Sequence, residues 1–168
     1  MSIILIGFMG VGKSTVGRLL ASELKLSFLD TDQLIEQTEA RTISEIFRTE
    51  GEEHFRSLET EVLETLQDYD NFVLSTGGGI VLKEENVALL KIMGPIILLT
   101  ADPAAIYERI KQETYRPLLQ TADPPAEIIK LLERRRPFYE RAAEYTVDTS
   151  TAAPGEAAKE IITWLRSK

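Results

Sequence analysis

The apolar run Ser2-Ile-Ile-Leu-Ile6 passes without a break into Gly7-Phe-Met-Gly-Val-Gly-Lys-Ser14. Its β-branched character reads as a strand buried on both faces, the pattern of a parallel sheet. The following Thr15-Val-Gly-Arg-Leu-Leu-Ala-Ser-Glu-Leu24 places Val16, Leu19, Leu20 and Leu24 on one helical stripe. A glycine-rich turn between a buried strand and a helix commits the chain to layered α/β architecture. It also completes the pattern G-x-x-x-x-G-K-[ST]. Glycines let the backbone wrap a phosphate with its N–H groups pointing inward, the lysine reaches the β- and γ-phosphates, and the hydroxyl ligates Mg²⁺. Gly10, Val11, Gly12, Lys13, Ser14 and Thr15 are therefore the expected nucleotide-binding residues, with Ser14 also a metal ligand. A turn without a ligand needs neither the Lys-Ser pair nor so many glycines.

Four further β-like runs, at residues 27–29, 71–75, 95–99 and 145–147, alternate with helix-period sequence. They are nearly all apolar, so they suit a parallel sheet covered on both faces, with a ligand crevice outside the carboxyl ends of the strands. A chain of 168 residues is a natural single-domain length. Between the second and third runs a helical region spans about 32–68, broken near Gly51. The stretch 112–125 carries Pro117, Pro124 and Pro125, is long for a plain connection, and reads as an active-site lid over about 111–124. Asp123-Pro124 is the cap and first-turn proline of a new helix.

Composition excludes several kinds of chemistry. There is no cysteine and a single histidine, His54, among glutamates, so thiol catalysis, hydrolytic triads and Cys- or His-based zinc sites lack their parts. A formal net charge of −8 argues against a nucleic-acid surface. No stretch approaches the ~20 apolar residues of a membrane span, and residence in the cytoplasm is expected.

Against this acidic background the charged clusters near strand ends become candidates. Asp30-Thr-Asp32 points two carboxylates to one side of an extended chain; one can serve the metal and one can orient a hydroxyl nucleophile, though either could simply cap a helix. Phe55, Leu58, Val62 and Leu66 make a buried stripe. Arg56 and Glu59, three apart, can pair so that the guanidinium fork is held for a substrate carboxylate, or they form an ordinary surface pair. Gly77, Gly78 and Gly79 end the third run where backbone N–H groups can approach a ligand. Arg116, before a proline, is expected on an irregular lid segment where it can stabilise charge on a transferred phosphoryl group. Arg109 either stacks on adenine or is a solvated helix residue. In Arg134-Arg-Arg-Pro-Phe-Tyr-Glu-Arg141, Pro137 is expected to break or restart the helix and so turn an arginine toward the cleft.

Taken in order, these motifs resemble those of the shikimate kinase family from residue 3 to about residue 158. The series is Gly-Phe-Met-Gly-x-Gly-Lys-Ser-Thr, Phe-x-Asp-x-Asp, Ile-x-x-Ile-Phe at Ile43 to Phe47, Gly-Glu-x-x-Phe-Arg-x-x-Glu at Gly51 to Glu59, Gly-Gly-Gly, Arg-Pro-Leu-Leu and Arg-x-Pro-x-Tyr at Arg135 to Tyr139. The resemblance implies a nucleoside-monophosphate-kinase-like fold with a central five-stranded parallel sheet, and transfer of the ATP γ-phosphoryl group to shikimate by a monomer that uses Mg²⁺. It implies that Lys13 and Ser14 hold ATP and metal, with Asp30 in the magnesium-water shell. Asp32, Arg56, Gly78 and Arg135 would bind shikimate, Glu59 would orient Arg56, Arg116 would close over the phosphates, and Arg109 would lie against adenine. Lys13, Asp32 and Arg116 are the implied catalytic residues.

Two positions depart from the family pattern. Ala40 stands where a glycine is often seen, and the loop Asp148-Thr-Ser-Thr-Ala-Ala-Pro154 lacks the arginine of some relatives. A kinase for gluconate or a nucleoside monophosphate would explain the loop and lid but not Arg56, Arg135 and the triple glycine. A GTP-dependent switch would be expected to carry Asn-Lys-x-Asp, which is absent.

Overall fold

The computed structural model describes residues 1–113 and 117–168. Within it, the apolar runs become strands β1 (Ile3–Ile6), β2 (Ser27–Asp30), β3 (Phe72–Ser75), β4 (Ile96–Thr100) and β5 (Tyr145–Asp148). They form a parallel sheet in the order β2-β3-β1-β4-β5. Every residue of β1 and β3 is buried, as continuous apolar strands covered on both faces require. Register sets Leu5 against Ser75 on one side of β1 and Leu5 against Ile97 on the other. The chain leaves β1 toward β2 on one side, but leaves β3 toward β4 on the other. The direction therefore reverses between β1 and β3, and a crevice opens outside their carboxyl ends.

Seven α-helices are described: α1 (Lys13–Leu24), α2 (Thr31–Glu39), α3 (Ile43–Leu66), α4 (Glu84–Met93), α5 (Pro103–Ile110), α6 (Pro124–Ala142) and α7 (Pro154–Ser167). Helix α1 buries Val16, Gly17, Leu20 and Ala21, whereas Leu19, expected on the stripe, is exposed. Gly17 explains the rotation: a Cβ there would lie 2.7 Å from the Phe28 ring and 3.3 Å from Leu5 Cδ1, so the helix docks through its glycine.

The expected helical region from Asp32 divides at residues 40–42, where Thr42 and Glu45 form a reciprocal capping box for α3. Within α3, Gly51 is non-helical (φ 84°, ψ 175°), which is the break expected there. Ala40 closes α2 in the left-handed region (φ 55°, ψ 35°). That conformation costs a residue with a Cβ about 1 kcal/mol or more, part of which is offset by its smaller unfolded-state freedom. Ala40→Gly should therefore stabilise the protein by about 0.5 kcal/mol, read as a raised urea midpoint at unchanged slope; a lowered midpoint would contradict the strain argument.

Helix α6 starts where expected, with the Asp123 carboxylate accepting the Ala126 N–H at 3.2 Å. It does not break at Pro137. Tyr139 and Ala142 beyond the proline are buried in the same core as Ile128 before it, and this packing holds the two halves together despite the lost N–H. Of the stretch read as a lid, residues 117–120 form a short 3₁₀ turn; Arg116 lies outside the described residues. Among the described residues no helix is long and apolar enough to cross a membrane.

Candidate active site

The loop after β1 reaches α1 through Gly12, whose left-handed φ of 96° and lack of a side-chain cap leave the first-turn N–H groups facing the crevice. Lys13 is only 9% exposed, and its Nζ donates to the Gly7 and Phe8 carbonyls at 2.7 and 2.8 Å. Ser14 Oγ donates to Asp30 Oδ2 at 3.3 Å, while Asp30 Oδ1 accepts the N–H groups of Asp32 (3.0 Å) and Gln33 (3.2 Å). Asp30 thus caps α2 with one oxygen and turns the other toward the Ser14 hydroxyl. Gly10 and Val11 lie between these groups, and Thr15 is exposed on the first turn of α1.

Arg109 reaches the same loop from α5. Its Nη1 donates to the Gly10 carbonyl at 3.0 Å and to Thr149 Oγ1 at 3.2 Å, and its Nη2 donates to the Thr149 carbonyl. These bonds occupy the edge of the guanidinium and leave its face for a planar partner. Thr149, 4% exposed, also donates its hydroxyl to the Val11 carbonyl at 2.7 Å. Sequence reasoning missed Thr149, because its partners lie far away in the chain.

Across the crevice, Gly77, Gly78 and Gly79 leave the end of β3 and face different charged groups. A Cβ at Gly77 would stand 2.8 Å from Glu59 Oε2 and 3.0 Å from Asp32 Oδ1; at Gly78, 3.2 Å from Arg135 Nη1; at Gly79, 2.5 Å from Arg56 Cζ. The third strand therefore ends in bare backbone because Asp32, Arg56, Glu59 and Arg135 converge on it from α2, α3 and α6. Gly77 N–H donates to Thr31 Oγ1 at 2.9 Å, which ties this turn to the start of α2.

Glu59 is fully buried, and Arg56 Nη1 donates to its Oε1 at 2.6 Å. Arg56 Nη2 donates to the exposed Glu52 at 3.2 Å. The pair belongs to the crevice and not to the surface. Arg56 Nε, Glu59 Oε2 and Arg135 Nε are buried without a hydrogen-bond partner among the described residues, a concentration of polar groups that stability alone does not favour.

Burial pushes the Glu59 carboxyl above the usual glutamate range; the Arg56 charge opposes this, Asp32 adds to it and Arg135 opposes it. As pH falls through that raised value, Glu59 takes up a proton and releases its charge-assisted hold on Arg56. The acid limb of kcat/KM for the acceptor substrate should accordingly lie above the ordinary glutamate range, and Glu59→Gln should remove the limb while lowering kcat/KM at every pH. A limb that persists in Glu59→Gln would assign it to another group.

A phosphate-loop motif and a convergence of charged side chains at the ends of neighbouring parallel strands form the arrangement of a P-loop kinase for small molecules. The family profile described as shikimate kinase matches residues 9–166. The chain is 45% identical over 161 residues to the shikimate kinase of Thermodesulfovibrio yellowstonii, with 96% of this chain and 92% of the relative covered. It is 46% identical over 165 residues to that of Pelotomaculum thermopropionicum, covering 98% and 95%. The solved structure of the shikimate kinase from Acinetobacter baumannii in complex with shikimate superposes with a TM-score of 0.94 at 39% identity, covering 99% of this chain and 93% of that one. The chain belongs to the shikimate kinase family.

Proposed function

We infer that the protein transfers the γ-phosphoryl group of ATP to the 3-hydroxyl of shikimate, giving shikimate 3-phosphate and ADP on the route to chorismate and the aromatic amino acids. The observation that carries this reading is the convergence of Asp32, Arg56 and Arg135 on Gly77, Gly78 and Gly79 beside the phosphate loop. Arg56 and Arg135 supply guanidinium forks for the substrate carboxylate. Asp32 meets the ring hydroxyls and orients the nucleophile, and Gly78 lets the ring approach the backbone.

On the donor side, the loop N–H groups from Gly10 to Thr15 cradle the phosphates, Lys13 neutralises charge on the migrating group, and Arg109 lies against the base. Arg116 is assigned to the phosphates on the family resemblance. Phosphoryl transfer needs alignment and charge neutralisation more than covalent help, and each such electrostatic contact is worth on the order of a hundredfold in rate.

The Ser14 hydroxyl and Asp30 carboxylate are hard oxygen donors 3.3 Å apart at the mouth of the loop. That pairing fits Mg²⁺, which is held by one or two protein oxygens together with phosphates and waters. When bound there, with Ser14 as ligand and Asp30 in its water shell, the metal would neutralise the β- and γ-phosphate oxygens.

The family resemblance assigns the enzyme to the cytoplasm, working as a monomer. A coupled ADP-release assay offering shikimate, gluconate and AMP separately tests the reading: turnover should require shikimate. Equal or faster turnover with either alternative would overturn it.

A further inference from the structure

We propose that Tyr139 is a positioning residue for the acceptor substrate, its hydroxyl anchoring the Gly78 peptide that faces the Arg135 guanidinium and so fixing the separation of two groups that grip shikimate. The inference rests on the functional reading above and extends it to a side chain that itself touches no substrate.

Tyr139 stands one helical turn after Arg135 on α6, so the two side chains share a face. It is 4% exposed, with its ring in the main core and its hydroxyl at the rim of the crevice. That hydroxyl donates to the Gly78 carbonyl at 2.5 Å, and a Cβ at Gly78 would stand 3.2 Å from Arg135 Nη1, so the anchored peptide lies directly against the guanidinium. A phenol has one proton to donate, and here it is given to Gly78.

Burial pushes the phenol up to about 12, so its proton remains in place at any working pH. Because a peptide unit is planar, anchoring the Gly78 carbonyl also fixes the direction of the Gly79 N–H. The Phe8 ring, with its centroid 5.7 Å from Arg135 Cζ, forms a second wall for the guanidinium. Phe8 lies within the phosphate loop, between Gly7 and Gly10, so Arg135 is confined between the donor loop and the acceptor turn. A tyrosine needed only for packing would have no use for this oxygen, and the ring and the hydroxyl can be separated by experiment.

The test is steady-state kinetics of wild type and Tyr139→Phe with each substrate varied in turn, alongside melting temperature and circular dichroism. The expected result is a shikimate KM raised about fivefold, the loss appropriate to a single neutral hydrogen bond, with the ATP KM changed less than twofold and the fold intact. In a double-mutant cycle with Arg135→Lys the two effects should fall short of additive, because the Gly78 turn that Tyr139 anchors lies against the Arg135 guanidinium.

An unchanged shikimate KM, equal rises in both KM values, strict additivity, or a variant that fails to fold would overturn the proposal, the last by making the hydroxyl a stability element. A wild-type enzyme inert toward shikimate would overturn the functional reading and this inference with it. Wild-type turnover of shikimate with an unresponsive Tyr139→Phe overturns this inference alone.

Discussion

Lys13→Met should lower turnover by about a thousandfold, near the upper end of what removal of a single electrostatic contact costs. In the structure the ammonium sits in the mouth of the phosphate loop, 2.7 and 2.8 Å from the Gly7 and Phe8 carbonyls. Under the proposed mechanism it exchanges loop carbonyls for phosphate oxygens, and its charge gains most when the γ-phosphoryl group is in transit. Methionine keeps most of the apolar stem of this nearly buried side chain and deletes only the charge, so the fold should survive. The loop amides remain, and nucleotide affinity should fall much less than turnover. The measurement is ADP release at saturating shikimate, paired with calorimetric binding of a non-hydrolysable ATP analogue. Turnover within tenfold of wild type would remove Lys13 from the chemistry.

Arg56→Ala should raise the shikimate KM by on the order of a hundredfold, about the worth of a lost bidentate, charge-assisted contact. It should also destabilise the protein by about 3 kcal/mol. The second effect follows from Glu59, whose side chain is fully buried and whose Oε1 receives the Arg56 Nη1 bond at 2.6 Å. Removing the arginine strands that carboxylate, and an uncompensated buried charge is among the most costly defects a fold can carry. Adding Glu59→Gln to Arg56→Ala should therefore recover a large part of the stability and none of the shikimate affinity. Denaturant unfolding and substrate kinetics on the two variants separate these effects. A double variant that regained affinity would contradict the clamp, and a single variant as stable as wild type would contradict the buried pair.

Legibility in the sequence followed the range of the interactions concerned. The strands could be read because burial on both faces leaves uninterrupted apolar runs, and the order of loop, carboxylates and glycines implied the sheet that carries them. The start of α6 was equally local, since Asp123 and Pro124 act within one turn. Leu19 was misjudged because the rotation of α1 is set by a contact between Gly17 and Phe28, which periodicity does not register. Pro137 was misjudged because core packing outweighed a missing backbone bond. In the candidate site, the Arg56–Glu59 spacing was visible, but its burial was not, because burial depends on the turn at Gly77–Gly79 folding over it. Thr149 carried no local signal at all: it meets Val11 across 138 positions of chain. Tyr139 was present in a recognised motif, yet its hydroxyl acquires a role only when Gly78 is brought beneath it.

The pairing of β1 with β3 has a consequence for how reactants meet. The loop proposed to hold the donor and the turn proposed to hold the acceptor extend from adjacent rungs of one hydrogen-bonded ladder, with Leu5 beside Ser75. Neighbouring strands lie about 4.8 Å apart, a spacing enforced by the most deeply buried part of the molecule. Under the proposed function the sheet thus holds the phosphate loop and the acceptor turn at a set spacing, while the side chains that grip the acceptor reach in from α2, α3 and α6. Substitutions that loosen those helices should therefore release the acceptor sooner than they disturb the nucleotide.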